Sequence, residues 1–181
     1  MSDRTTDAAD PVLRERAEEP YAAIRCDVAD GVRAAVDRAF PELFAGLGER
    51  GLTPAGAPLI RYLRLDGDGE PLLLDVGVPV AADDRRAIAA APQPPDGLRS
   101  EVLPAGRYAT LLHAGPYSHA TVPDLADARD RLRAWLRAEG FTTGDQDGTW
   151  EPPGALERFL VGPVDDPDWT RWRTEIAWRV G

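Results

Sequence analysis

Apolar residues recur at steps of three and four in two stretches of the chain, and each stretch predicts an amphipathic helix. The apolar stripe of the first helix contains Val32, Val36, Phe40, Leu43 and Leu47. Pro41 lies within this stripe and predicts a kink or a restart near Phe40. The stripe of the second helix contains Leu125, Ala128, Leu132, Trp135 and Leu136. Pro123 and Asp124 suit its first turn, and Gly140 suits its end.

The chain also repeats itself. Arg61-Tyr62-Leu63 matches Arg158-Phe159-Leu160, and this alignment sets Ile60 against Glu157. Further matches relate residues 21–24 to 108–111 before the two helices, and residues 74–80 to 174–180 near the end of each half. A repeat of only two units has to pack one unit on the other.

The repeat predicts an α+β fold in which each half is a strand-strand-helix-strand-strand unit and the halves are related by a pseudo-twofold axis. We expect a single domain over residues 12–180, with the first repeat at about 12–80, an Ala-, Pro- and Asp-rich linker at 81–97 and the second repeat at about 98–180. Residues 1–11 are expected to form a disordered leader. We expect the two sheets to bury one face against each other, with a central ligand cleft between them.

Strand alternation indicates which side chains would line this cleft. Ile60 and Tyr62 share one face of a strand, as do their counterparts Glu157 and Phe159. Trp178 shares a face with Ile176 in the last strand and would supply a further wall. If this face lines the cleft, Glu157 is a carboxylate in an aromatic environment.

Composition limits the classes of function. A hydrophobic content of 43% is typical of a globular protein, and the formal net charge of −10 opposes nucleic acid and favours cations or simply solubility. No apolar run reaches the length of a membrane span and no signal peptide opens the chain, so we expect a cytoplasmic protein. The spacing of His, Cys and carboxylate residues suggests no metal site, and no cofactor motif appears.

Four segments taken in order carry a family resemblance. Residues 56–62 (GAPLIRY), 103–108 (LPAGRY), 113–117 (HAGPY) and 172–176 (WRTEI) resemble the gyrase-inhibitor-like (GyrI-like) small-molecule-binding domain. This domain also serves as the effector-binding part of AraC- and MerR-type multidrug regulators. The resemblance implies a tandem-repeat α+β fold and a central cleft for flat, hydrophobic, often cationic compounds, with a glutamate that faces the ligand.

The family's glutamate precedes an aromatic residue on the third strand of the second half. Glu157-Arg158-Phe159 matches this pattern, with phenylalanine in place of the usual tyrosine. A rival alignment places the glutamate at Glu151, after Trp150. The internal repeat selects Glu157 independently, and the two prolines after Glu151 favour a loop there.

Each candidate residue has a plainer reading beside the functional one. Glu157 could hold a ligand cation, or it could simply pair with one of the chain's many arginines. The expected ligand-binding set around it could equally be ordinary core, and Trp150 could be a lid over the cleft or a residue of its rim. The full set comprises Ile60, Tyr62, Tyr117, Trp150, Glu157, Phe159 and Trp178.

Two functions follow, from different classes. The first is a stand-alone protein that binds a hydrophobic aromatic small molecule in sequestration, sensing or resistance, without a membrane or nucleic-acid partner. The chain offers no room for a helix-turn-helix region, so direct transcriptional control is not expected. The second is a hydrolase similar to the cyclopropanoid hydrolases of this family, in which Glu157 would activate water and Tyr117 would hydrogen-bond the substrate carbonyl. The sequence leaves both functions, and the oligomeric state, open.

Overall fold

The computed structural model describes residues 10–66, 70–90, 97–115, 125–141 and 155–180. Its strands are β1 (Val12–Arg16), β2 (Glu19–Asp27), β3 (Leu59–Leu65), β4 (Pro71–Pro79), β5 (Arg99–Leu103), β6 (Gly106–Ala114), β7 (Leu156–Val161) and β8 (Arg173–Val180). Its α-helices are α1 (Val32–Glu49), α2 (Ala82–Ala90) and α3 (Leu125–Ala138), and a short 3-10 helix, Trp169–Arg171, precedes β8. The predicted α+β class is confirmed. Residues 1–9 of the expected leader lie outside the described residues.

The described strands form one antiparallel sheet in the order β1-β6-β8-β7-β3-β4-β2-β5. The strands of the two halves correspond as β1 to β5, β2 to β6, β3 to β7 and β4 to β8. If each strand is replaced by its counterpart and the order is reversed, the same order results. The first strand of each half pairs with the second strand of the other half: β1 pairs with β6, and β5 pairs with β2. The expectation that two sheets pack face to face is therefore wrong. The halves join edge to edge through β3 and β7, and this pairing satisfies backbone groups that two separate sheets would leave at open edges.

The registers follow the same symmetry. Ile60 pairs with Glu157, and on either side of this pair Leu59 lies opposite Arg158 and Arg61 lies opposite Leu156. Exchanging the halves according to the sequence repeat leaves this pairing unchanged, so the Ile60–Glu157 pair lies at its centre. Superposition of the complete halves stays a prediction, because residues 142–154 of the second half lie outside the described residues.

Helices cover one face of the sheet, where the larger core forms. Leu125, Ala128, Leu132 and Leu136 of α3 are buried as predicted, and Trp135 is partly buried against the same core. Gly140, with φ +78°, follows the end of this helix. In α1 the buried residues are Ala35, Ala39, Leu43 and Leu47, while the predicted Val32, Val36 and Phe40 lie partly buried at the flank. The small alanines lie against the sheet, and the larger side chains flank this contact. Of the two expected effects of Pro41, the restart is wrong, because α1 continues through this residue, and the kink stays a prediction.

The segment expected to be a simple linker contains the helix α2, with Asp83 and Asp84 in its first turn. Carboxylates at that end interact favourably with the helix dipole. Ile88 is only 1% exposed, and α2 packs against β2 and β5. Part of the connection between the repeats is therefore core.

A smaller core lies on the opposite face of the sheet, and it contains the buried acid of the first half. Asp75 is fully buried; it accepts a hydrogen bond from the hydroxyl of Tyr21 at 2.9 Å and two from Arg25, at 2.8 and 3.0 Å. Its counterpart Glu175 forms an ion pair with Arg16 at 2.7 Å. Each of these two acids is therefore paired with an arginine.

Gly77 allows the ring of Tyr21 to pack closely on β4. A Cβ atom at Gly77 would lie 2.7 Å from both the Tyr21 ring and the carbonyl oxygen of Ala22. We therefore expect Gly77→Ala to lower the free energy of unfolding by about 1–3 kcal/mol. Gly48→Ala is the control, since its Cβ would meet nothing within 4 Å and alanine favours the helix by about 0.5–1 kcal/mol. Urea denaturation measures both variants, and equal midpoints would contradict this account.

Candidate functional site

The candidate site lies on the helix-bearing face, above the joint between the two halves. α1 makes its main sheet contacts with β2 and β4, and α3 makes its own with β6, so the two helices flank the central β3–β7 pair. Ile60, Tyr62, Glu157 and Phe159 all lie on this face, in or against the larger core.

At the centre of the site, Glu157 forms an ion pair with Arg129 of α3. The carboxylate is only 2% exposed, and Nε of Arg129 donates to its Oε1 at 2.5 Å. The same guanidinium group donates through Nη2 to the hydroxyl of Tyr62 at 3.0 Å, and its central carbon lies 5.5 Å from the centroid of the Tyr62 ring. One cation therefore contacts the carboxylate, the phenol and the aromatic face together.

The surroundings favour a charged Arg129 and a neutral Tyr62 by raising the pKa of both groups. Burial lowers the pKa of Arg129, but the Glu157 charge and the hydrogen bonds to Glu157 and Tyr62 outweigh burial and raise that pKa above its ordinary value. Burial, together with the charge of Glu157, also raises the pKa of the Tyr62 phenol. The site thus holds a charged guanidinium paired with a carboxylate, beside a neutral phenol.

Aromatic side chains extend the site on both sides. On the α1 side, the ring of Phe40 meets that of Phe159 edge to face, with centroids 6.4 Å apart, and stacks on Phe44 at 6.3 Å. Phe44 is 44% exposed, so this aromatic row leads from the neighbourhood of Glu157 to solvent. On the α3 side, the guanidinium carbon of Arg133 lies 5.4 Å from the centroid of the Trp178 ring.

The structure brings together several of the residues expected to bind ligand. Ile60, Tyr62, Glu157 and Phe159 lie together as described, and Trp178 follows on the same face of β8, two residues after Ile176, which pairs with Glu157. Contact of any of them with a ligand stays a prediction. The other candidates, Tyr117, Trp150 and the rival acid Glu151, lie outside the described residues.

Two residues of the site were not predicted to belong to it, Arg129 and Phe40. Arg129 follows Leu125 by four positions and precedes Leu132 by three, so it falls on the apolar stripe of α3. A charged residue on a buried helix face needs a partner, and this was the available signal. Phe40 falls on the predicted core stripe of α1, and no pattern in the sequence indicates that it faces Phe159.

The described part of the chain contains no group of three or more His, Cys, Asp or Glu side chains that could hold a metal ion. Among the described helices, none is long and apolar enough to cross a membrane.

Comparison with known proteins defines the class of this chain. The model of the family described as "GyrI-like small molecule binding domain" matches residues 9–180, nearly the whole sequence. The chain therefore belongs to the GyrI-like family of small-molecule-binding domains. The comparison with curated proteins found no match.

Solved structures share the fold at low sequence identity. The C-terminal domain of EcmrR is 18% identical with a TM-score of 0.73, and the match covers 97% of this chain and 99% of that one. The EcmrR chain in its complex with DNA is 19% identical with a TM-score of 0.71, and the match covers 98% of this chain but only 59% of that longer chain.

Two further structures are more distant. A hydrolase from Listeria innocua is 13% identical with a TM-score of 0.57, over 95% of this chain and 92% of that one. SAV2435 bound to tetraphenylphosphonium is 13% identical with a TM-score of 0.56, over 96% and 94%. At these identities the likeness concerns the fold.

The buried ion pair predicts unequal effects of removing its two members. Arg129→Met leaves Glu157 buried without its counter-ion, and we expect a loss of about 3 kcal/mol in the free energy of unfolding. Glu157→Gln should cost only about 1 kcal/mol, because glutamine still accepts a hydrogen bond and the Arg129 side chain, 31% exposed, can reach water.

Chemical denaturation measures both effects. Arg137→Met is the matched control, since Arg137 is an exposed arginine on the same helix and its loss should change stability by less than about 0.5 kcal/mol. Equal losses in the Arg129 and Arg137 variants would show that the pair contributes nothing to the fold.

Proposed function

We propose that this protein binds lipophilic aromatic cations in the cleft above the β3–β7 joint and acts in the cytoplasm in sequestration, sensing or resistance. Family membership shows a small-molecule-binding domain. The observation that supports the finer proposal is the carboxylate of Glu157, which is 2% exposed and lies on the same face of the sheet as Tyr62 and Phe159.

The contacts of Arg129 illustrate what a ligand cation would gain there. The guanidinium group combines an ion pair with Glu157 and a position over the Tyr62 ring. Charge attraction to a buried carboxylate and cation–π contact are each stronger when water is excluded. A large aromatic cation would make the same two interactions and would also bury apolar area against Phe40 and Phe159.

Two wider observations agree with this proposal. The net charge of −10 attracts cations toward the protein over distances comparable to the Debye length. A structural neighbour, SAV2435, was solved with the aromatic cation tetraphenylphosphonium. The proposal includes no contact of this chain with nucleic acid or with a membrane.

Binding of size-matched probes tests the proposal. We expect tetraphenylphosphonium to bind more tightly than the isosteric anion tetraphenylborate and than neutral triphenylphosphine oxide, because Glu157 favours positive charge. Glu157→Gln should weaken tetraphenylphosphonium binding by about tenfold or more, since it removes one charge from a desolvated site. Isothermal titration calorimetry measures these affinities.

The matched control is Glu139→Gln, which removes the same charge from an exposed position just after α3 and should leave binding unchanged. Equal affinity of the wild-type protein for all three probes would contradict cation binding. An equal effect of the two glutamine variants would assign the preference to overall charge instead of Glu157.

A hydrolase is the second candidate, and it draws support from the likeness in fold to a hydrolase from Listeria innocua. In this alternative, Glu157 takes a proton from water that attacks a strained cyclopropane ring, and Tyr117 donates to the carbonyl that gains charge. The ion pair with Arg129 argues against it, because Nε of Arg129 already donates to Oε1 of a carboxylate that is only 2% exposed, which restricts the approach of a water molecule to that base. Binding is therefore the better-supported function.

Product analysis separates the two functions. If Glu157 acts as the base, cyclopropane-containing electrophiles should yield products heavier by one water molecule, and Glu157→Gln should slow this turnover by about 10²–10⁴-fold. Tyr117→Phe should slow it less, since it removes one hydrogen bond and keeps the ring. We expect no hydrated product by mass spectrometry; its formation by the wild-type protein alone would establish the hydrolase.

A further inference from the structure

Arg129 already occupies the contacts that the proposed function assigns to a ligand cation. Its Nε donates to Glu157 and its guanidinium carbon lies over the ring of Tyr62. The Arg129 side chain is 31% exposed, whereas Glu157 is 2% exposed, so the guanidinium is the part of the pair that reaches solvent. A cation that approaches from solvent therefore meets Arg129 before it meets the carboxylate.

We propose that Arg129 is a built-in competitor for the cation site and that this competition determines which cations the cleft accepts. The inference rests on the proposed function, because it concerns the same carboxylate. A ligand cation that contacts Glu157 has to displace the guanidinium, and its affinity is reduced by the free energy of the Arg129 contacts.

The competition selects ligands by their apolar area. The displaced arginine regains hydration but loses a buried ion pair, a hydrogen bond of 3.0 Å to Tyr62 and a ring contact. A small cation such as tetramethylammonium replaces the charge but buries little apolar area, so it does not offset this loss. A large aromatic cation adds area against Phe40 and Phe159, and the cleft thus discriminates against the small ions that an open carboxylate would attract.

A second arginine of the same helix provides an internal comparison. Arg133 lies one turn after Arg129, and its guanidinium carbon is 5.4 Å from the centroid of the Trp178 ring. Arg133 also forms an ion pair with Asp130, at 3.3 Å, on the helix surface. Replacing Arg133 removes a cation from the ring of Trp178 and leaves the Arg129–Glu157 ion pair in place. A comparison of the two substitutions therefore separates the effect of the carboxylate contact from the effect of losing a nearby positive charge.

Titration calorimetry with tetraphenylphosphonium and tetramethylammonium tests the inference. Arg129→Gln retains a hydrogen-bond donor for Glu157 and removes the charge, and we expect tetraphenylphosphonium to bind about tenfold or more tightly than to the wild type. Tetramethylammonium binding should become measurable in this variant alone. Arg133→Gln should change the affinity for tetraphenylphosphonium by less than about threefold, and Arg137→Gln, at an exposed position, should leave it unchanged.

The outcomes separate this inference from the function on which it rests. If Glu157→Gln weakens binding but Arg129→Gln does not strengthen it, Arg129 is no competitor and the cation site stands. If neither substitution alters binding, the cation site itself is wrong. Should Arg129→Gln fail to fold, Arg129→Lys decides, because an ammonium makes fewer contacts with Glu157 and Tyr62 and should raise affinity about threefold; unchanged or weaker binding would overturn the competition.

Discussion

The arrangement of the site depends on the cost of removing one carboxylate from water. Glu157 lies in the pairing that joins the two halves and is 2% exposed, so it needs a compensating charge within contact distance. The sheet does not supply that charge on this face; α3 does, through Arg129. The position of α3 beside the joint and the burial of Glu157 are therefore linked through a single guanidinium group.

The contrast with the other buried acid shows why Glu157 is suited to exchange of partners. Asp75 accepts three hydrogen bonds from Tyr21 and Arg25, which lie on the neighbouring strand of the same sheet. Strand pairing holds the backbone of both partners beside Asp75, and the Tyr21 side chain is fully buried. Arg129 instead reaches Glu157 from helix α3, which is not part of the sheet. Asp75 thus has two partners within its own sheet, whereas Glu157 has a counter-ion on a helix, and we propose that a ligand replaces that counter-ion.

Sequence reasoning succeeded where the repeat or the alternation of strands determines position. The sequence repeat aligns Ile60 with Glu157, and the register of β3 and β7 pairs these two residues. It failed where long-range packing decides. The joining of the halves into one sheet depends on which edges meet, and the helical content of residues 82–90 depends on the burial of Ile88 against the sheet. Arg129 could have been noticed on its apolar stripe, but only the fold identifies Glu157 as its partner.

The central claim is that the Arg129–Glu157 contact and a ligand cation exclude each other, and arginine side-chain NMR observes this directly. The Nε–H signal of Arg129, assigned by its loss in Arg129→Lys, should exchange slowly with water in the ligand-free protein, because this proton is donated to a buried carboxylate. Saturation with tetraphenylphosphonium should shift the signal to that of a solvated arginine and speed its exchange, while the Arg137 signal stays unchanged. An Arg129 signal that keeps its position and slow exchange at saturation would show that the ligand binds without displacing the arginine, and would contradict the account.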